Sequence, residues 1–296
     1  MDAAFALILV SLGGGLLVAR LRAMPANAAD TLNRFVIYVC LPALVLRLVP
    51  KLRFDPSLAV LAVAPWMLLV VGVLVVLAAA RVFRFSRHVT AALLLCVPLG
   101  NTSFLGFPMI GALIGPDAVR LAVVYDQVGS FLILATYGLF VVARFSGDSK
   151  PSLRAVALRV LRFPPFIALV IALLPFHHPA AIDSVLQSLG AALVPIAMFA
   201  VGLSLELRIP RHPLAFVLGL SVKMLLFPFL VLAVCALLGL HGLPVRVAVL
   251  ESAMPPMITA GALATMAGLA PELAAALVGY GVLLSLATLP FIATRV

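Results

Sequence analysis

Charge is what this chain has least of. Asp, Glu, Lys and Arg make up 10% of its 296 residues, whereas hydrophobic residues reach 65% and the mean hydropathy is +1.28. Soluble domains carry roughly a quarter charged and about half apolar residues. A soluble core of this size could not hide so much apolar surface, so lipid must solvate most of it. Cysteine is scarce too. Cys40, Cys96 and Cys235 all lie in apolar runs without CxxC or metal-ligand spacing, which excludes a redox or metal centre and leaves buried structural thiols. No span carries HExxH, GxSxG or a carboxylate pair at catalytic spacing, so the chain is not expected to be an enzyme or to need a cofactor. The first apolar run has no basic segment before it and no Ala-x-Ala after it, and is expected to be a membrane span rather than a signal peptide.

What is present is a series of apolar runs near 3–19, 33–49, 57–80, 89–115, 117–143, 163–176, 181–206, 213–240, 244–268 and 271–293. Most meet the roughly 20 residues that spanning requires. Ten spans put both termini on one side. The net charge of +10 sits in the short gaps, which argues for membrane orientation and against nucleic acid. Thirteen Lys and Arg fall in gaps on the side opposite the termini and six on the terminal side. That bias predicts termini outside and the 144–162 gap in the cytoplasm. Within the gap, Pro151–Arg162 interleaves Leu153, Ala157, Val160 and Leu161 with Arg154, Arg159 and Arg162, a pattern for a short amphipathic helix on anionic lipid.

Two halves emerge when the chain is slid against itself by 155 residues. Gly106 then meets Gly261, Pro116 meets Pro271, Asp117 meets Glu272, Tyr125 meets Tyr280 and Ser130 meets Ser285. At 153, Pro42 meets Pro195. Five is an odd number of spans, so two five-span repeats in series have inverted topology, a recurrent transporter architecture. The expected organisation is a first repeat at 1–145, a linker at 146–162 and a second repeat at 163–296. The expected fold is an all-α polytopic membrane protein of ten helices in two inverted five-helix repeats, its fourth and ninth helices broken and crossing.

Those two spans are the unusual ones. The fourth runs Cys96-Val-Pro98-Leu-Gly100-Asn101-Thr102-Ser103-Phe-Leu-Gly106-Phe-Pro108, and the ninth Glu251-Ser252-Ala-Met-Pro255-Pro256-Met257-Ile-Thr259-Ala-Gly261. Proline removes a backbone donor and glycine weakens a helix, so clusters of both at mid-span predict breaks. Freed backbone groups at membrane depth need protein or a water-filled cavity, and half-helix N-termini there favour an anion. The 155 offset aligns the two breaks, and paired breaks are the best sequence pointer to a transport site. Ordinary proline kinks are the simpler alternative.

Four stretches carry a resemblance to the auxin efflux carrier family, which spans plant auxin exporters and bacterial carboxylate permeases. They are Asn33–Leu44, Asn101–Pro108, Pro195–Leu205 and Ala253–Pro255, in order along essentially the whole chain. The resemblance implies ten helices in two inverted halves whose broken fourth and ninth members cross at the substrate site, as in bile-acid sodium symporters and sodium/proton antiporters. It makes Asn101 the crossover asparagine, and implies a homodimer in a bacterial inner (plasma) membrane. Gly100 stands where plant carriers have proline, and Pro256 where they have a polar residue. The 144–162 gap is also much shorter than the regulatory loop of many plant members. A small bacterial-type carboxylate is therefore expected in place of auxin.

Ionisable residues inside spans are costly and usually face a cavity or a partner. Lys223 lies about ten residues into the eighth span, and Asp126, beside Gln127, at similar depth in the fifth. Lys223 could compensate a carboxylate and Asp126 carry a proton, or the two could form a structural pair. Glu251 is expected nearer the outer surface, as a gate or interfacial residue. Arg47 and Arg120 are expected to snorkel, and His177-His178 to form a solvated turn. The substrate-binding set is thus Gly100, Asn101, Thr102, Ser103, Pro108, Lys223, Pro255, Pro256, Met257 and Thr259, with Asp126, Gln127 and Glu251 for coupling or gating. The expected function is alternating-access transport of a mono- or dicarboxylate, with proton coupling left open. A sodium-coupled symporter, or a sensor or channel on the same fold, is the alternative.

Overall fold

An apolar chain with no water to satisfy its backbone must close its hydrogen bonds internally, and this one does so in helices. The computed structural model describes residues 2–51, 56–146, 154, 158, 161–174, 179–205, 207 and 210–296. Among these, every regular element is helical. The expected amphipathic helix at Pro151–Arg162 falls largely outside the described residues, as does most of the 146–162 linker, and the His177-His178 turn lies outside them altogether.

The helices are α1 (Asp2–Leu21), α2 (Ala28–Lys51), α3 (Ala59–Val82), α4 (Arg87–Cys96), α5 (Thr102–Leu113), α6 (Pro116–Phe145), α7 (Pro164–Ala172), α8 (Ala180–Ser204), α9 (Pro213–Leu237), α10 (Leu243–Ser252), α11 (Ile258–Met266) and α12 (Pro271–Ala293). Seven of them, α1, α2, α3, α6, α8, α9 and α12, are long and apolar enough to cross a bilayer. Large apolar side chains such as Val10, Leu74, Phe229 and Leu237 are exposed along them, the reverse of a soluble surface. The chain is a multi-pass membrane protein.

The described chain forms two compact units. One comprises 1–54, 103–123 and 158–205, the other 55–102, 124–157 and 206–296. In the first, α1 lies along the second half of α8. Gly15 and Gly202 permit this approach. A Cβ at Gly15 would strike the Phe199 carbonyl oxygen, and one at Gly202 the Leu12 carbonyl oxygen. Close backbone contact through small residues is the usual way helices associate where lipid removes the hydrophobic drive. The second half of α2 is covered by α7 and the start of α8. There Arg47, expected to snorkel, has protein partners. Its Nε lies 3.5 Å from Asp183 and its Nη2 donates to Gln187 at 3.1 Å, while Lys51 approaches the same Asp183 at 3.6 Å. Arg120 likewise turns to protein, donating to the Lys51 carbonyl at 3.4 Å.

The second unit is built around α4. Ser86 caps it, its hydroxyl accepting from Val89 N at 3.3 Å. Every residue from Val89 to Cys96 is then buried, among α3, the end of α6, α9, α11 and α12. A helix with no solvated or lipid-facing side has no need of amphipathic periodicity. Tyr137 of α6 ties to it by donating to the Leu94 carbonyl at 3.0 Å. On the other side of α3, the Pro65 ring seats on Gly129, where any Cβ would collide, and Trp66 Nε1 donates to the Val128 carbonyl at 3.1 Å.

Candidate functional site

Helicity stops at Cys96 and resumes at Thr102, and it stops again at Ser252 and resumes at Ile258. Pro98, Pro255 and Pro256 lie in these gaps, where their missing donors and ring clashes make continuous helix unfavourable. The two gaps satisfy each other. Gly100 and Pro256 form an antiparallel bridge, flanked by Asn101 N donating to Pro255 O and Met257 N donating to Leu99 O, each at 2.8 Å. Two broken helices are therefore joined backbone to backbone, and the peptide groups that proline freed find partners inside protein.

Around this junction the second unit gathers its buried polar side chains. Asn101, Thr102, Asp126, Gln127, Lys223, Glu251 and Ser252 are each at most 2% exposed. Thr102 Oγ1 donates to Asp126 Oδ1 at 2.5 Å, and Gln127 Nε2 donates to Asp126 Oδ2 at 2.7 Å. Lys223 reaches the junction itself. Its Nζ donates to the Ser252 carbonyl at 3.2 Å and lies 5.1 Å from the Phe227 ring centre. A Cβ on Gly100 would sit 2.9 Å from that Nζ and 3.2 Å from Cε, so glycine here admits the lysine. The ammonium thus stands at the carboxyl end of α10, where a helix presents partial negative charge.

Three of these elements share a local distortion. Thr102–Gly106, Tyr125–Ser130 and Val222–Leu226 are π-helical turns, and they carry Thr102, Asp126, Gln127 and Lys223. Such turns widen the helix by one residue and recur at functional sites. The Asn101 amide has neither nitrogen nor oxygen partnered among the described residues, and both carboxylate oxygens of Glu251 are in the same position. Buried polar atoms without partners are rare enough to demand a reason. A pair of broken helices, a cation and an unpartnered amide can together hold an anion: the ammonium supplies charge and the amide supplies directional donors.

The profile of the membrane transport protein family matches residues 1–293. The chain belongs to that family. A Methanothermobacter thermautotrophicus "Uncharacterized transporter" is 29% identical over 96% of this chain and 94% of its own length. A second, from Methanocaldococcus jannaschii, is 26% identical over 80% of both. A Rhizobium meliloti "Putative malonate transporter" is 28% identical over 93% of this chain and 89% of its own length. The likeness to auxin efflux carriers falls within the same family assignment.

For this membrane transport protein, the structure brings most but not all of the sequence-derived residues together. Gly100, Asn101, Thr102, Pro255, Pro256 and Met257 are buried at or beside the junction, with Asp126, Gln127, Lys223 and Glu251 in the same unit. Thr259 is exposed on the first turn of α11. Ser103 and Pro108 belong to the other unit, where Pro108 lines an apolar cavity of about 420 Å³ with Arg47 and Gln187. Glu251, expected as a gate or interfacial residue, is 0% exposed, and both Asp126 and Lys223 act on it electrostatically. Tyr125 and Ser252 were not among the expected site residues: Tyr125 is buried within the electrostatic reach of Glu251, and Ser252 supplies the carbonyl that holds Lys223. The 155 offset did contain a signal for Glu251, since it aligns with Cys96, the last helical residue before the first break.

Proposed function

We infer that this membrane transport protein carries a small organic anion, a mono- or dicarboxylate, by alternating access around the paired breaks. The observation that carries the reading is the junction: two interrupted helices hydrogen-bonded to each other, with the Lys223 ammonium against one and the unpartnered Asn101 amide in the other. The malonate in the name of the Rhizobium meliloti relative supports a carboxylate as cargo. In this reading the carboxylate takes donors from Asn101 and charge from Lys223, while interfaces beyond the site repack between two states.

The reading includes ten spans in two inverted repeats at 1–145 and 163–296, with α4–α5 and α10–α11 as the broken fourth and ninth. The composition of the units supports it. Shifted by 155 residues, segment 158–205 becomes 3–50, which belongs to the same unit as its counterpart, and 210–257 becomes 55–102, both in the other. The segment 103–123 departs from this symmetry, because its counterpart 258–278 belongs to the opposite unit. A sodium-coupled symporter is the alternative, with the Lys223 ammonium at the junction standing where a coupling cation would compete.

Uptake of labelled malonate into proteoliposomes tests the function. Flux should saturate with concentration, and Asn101→Ala should abolish or strongly reduce it while leaving insertion and thermal stability nearly intact. Wild-type uptake with unchanged apparent affinity in Asn101→Ala would place the anion site elsewhere.

A further inference from the structure

Glu251 is the buried group that anion binding alone does not use. It is the penultimate residue of α10, is fully buried, and has both carboxylate oxygens without a hydrogen-bond partner among the described residues. The charged groups that act on it are Asp126 from α6 and Lys223 from α9, with the Tyr125 phenol beside it. The other helices packed on α10 add little. In α3 the charged residue is Arg81, in its last turn. In α12 Glu272 is paired with Arg211 at 2.7 Å, and Tyr280 is turned edge-on to Phe216.

The charge arithmetic of this cluster is unfavourable to an anion. Two carboxylates against one ammonium leave a net negative charge, and a carboxylate substrate would deepen it among side chains that protein shields from bulk solvent. One of the two side chains must therefore be neutral when the anion is bound. Asp126 is already engaged by two hydrogen bonds, from Thr102 and Gln127, which a proton on its carboxylate would disturb. Glu251 receives none.

We propose that Glu251 is the proton-carrying residue of the transport cycle: it takes a proton from the aqueous phase as the anion enters and returns it when the anion leaves, so one proton travels with each anion. No covalent bond forms. The proton is held on a Glu251 oxygen, which removes the negative charge competing for the Lys223 ammonium and leaves that ammonium to the substrate carboxylate. Asp126 stays ionised and keeps Thr102 and Gln127 in place. This rests on the anion-carrier reading given above, and it moves the proton from the group that depth in the span would suggest, Asp126, to its neighbour.

Malonate affinity measured against pH on purified wild type, Glu251→Gln and Glu251→Asp tests it. Glutamine mimics the protonated side chain permanently, so the affinity of the variant should lose Glu251's contribution to the pH dependence. The ratio of wild-type to Glu251→Gln affinity cancels malonate's own titration. It should fall by about ten-fold per pH unit on the alkaline side, as linkage of one proton requires. Glu251→Asp keeps a titrating carboxyl and should keep a pH dependence. In proteoliposomes carrying an internal pH dye, an inward malonate gradient should acidify the lumen with wild type and not with Glu251→Gln. A constant ratio across pH, or equal acidification by both proteins, overturns the assignment of Glu251 while leaving the carrier reading standing. Failure of wild type to bind malonate at any pH overturns the carrier reading itself, and with it the coupling.

Discussion

Replacing Lys223 with methionine separates a lysine that serves the anion from one that serves the fold. Methionine keeps the length and apolar stem, so packing against Phe227 should survive. Three contributions are lost or changed. The hydrogen bond from the ammonium to the Ser252 carbonyl is worth about 1.5–3 kcal/mol, as bonds involving a charged group are. The contact over the Phe227 ring adds roughly 0.5–2 kcal/mol. Against these stands the desolvation of a cation only 2% exposed, which costs several kcal/mol and disappears with the charge. If Glu251 is protonated, the changes nearly cancel and thermal stability should move by about 1–2 kcal/mol at most. Malonate affinity should fall at least ~30-fold, because truncating one partner of a buried charge pair costs about 2–5 kcal/mol. If instead Lys223 exists to neutralise its carboxylate neighbours, stability should drop by roughly 3–5 kcal/mol. The double change with Glu251→Gln should then restore it. Thermal unfolding and malonate titration of both singles and the double decide the matter. Lost stability rescued in the double, with wild-type affinity throughout, would remove Lys223 from the anion site.

Gly100→Ala places a methyl 2.9 Å from the Lys223 ammonium, which must swing away. Because the obstacle is the end of a flexible side chain, stability should fall by about 1 kcal/mol or less while malonate uptake drops several-fold, measured on the same preparation. Gly202→Leu meets rigid backbone at the Leu12 carbonyl, so it should destabilise the α1–α8 contact by more than ~2 kcal/mol and lower the unfolding temperature or the yield of folded protein. Cysteines at Arg84 and His241, both exposed, introduced in a variant lacking Cys40, Cys96 and Cys235, should be labelled from opposite faces of the membrane. Labelling of both from outside would dismantle the ten-span topology.

The breaks were legible because their cause is local. Proline without a donor and glycine without a side chain act on the turn in which they sit, so Val97–Asn101 and Ala253–Met257 could be read from sequence. Their mutual pairing was only partly legible. An offset can align two breaks, but it does not state that Asn101 N will donate to Pro255 O, a contact between residues 154 positions apart. The grouping of 103–123 with α1, α2, α7 and α8 is hidden for the same reason. Hydropathy counts spans without saying which of two apolar faces a third helix will choose. Arg47 shows the limit for charged residues: position near a span end suggested a snorkelling side chain, and a carboxylate 136 residues away captured it.

Glu251 shows the same limit at the centre of the site, and there it changes the chemistry. Depth counted from the start of an apolar run treats a span as a straight rod, and on that count Glu251 lies nearer one surface than Lys223. A broken helix invalidates the count. Where a helix is interrupted, the residues flanking the gap can be enclosed by protein whatever their distance from the span's beginning. Glu251 and Ser252 flank the second gap, and they are the residues that meet Lys223. Position relative to the break is thus the measure of depth in this fold. By that measure the glutamate in the last turn before a broken segment is as central as the asparagine that closes the other one. The cluster then draws on both breaks, Asn101 and Thr102 from one and Glu251 and Ser252 from the other, with one lysine at the junction for a carboxylate of the protein and a carboxylate of the substrate to share.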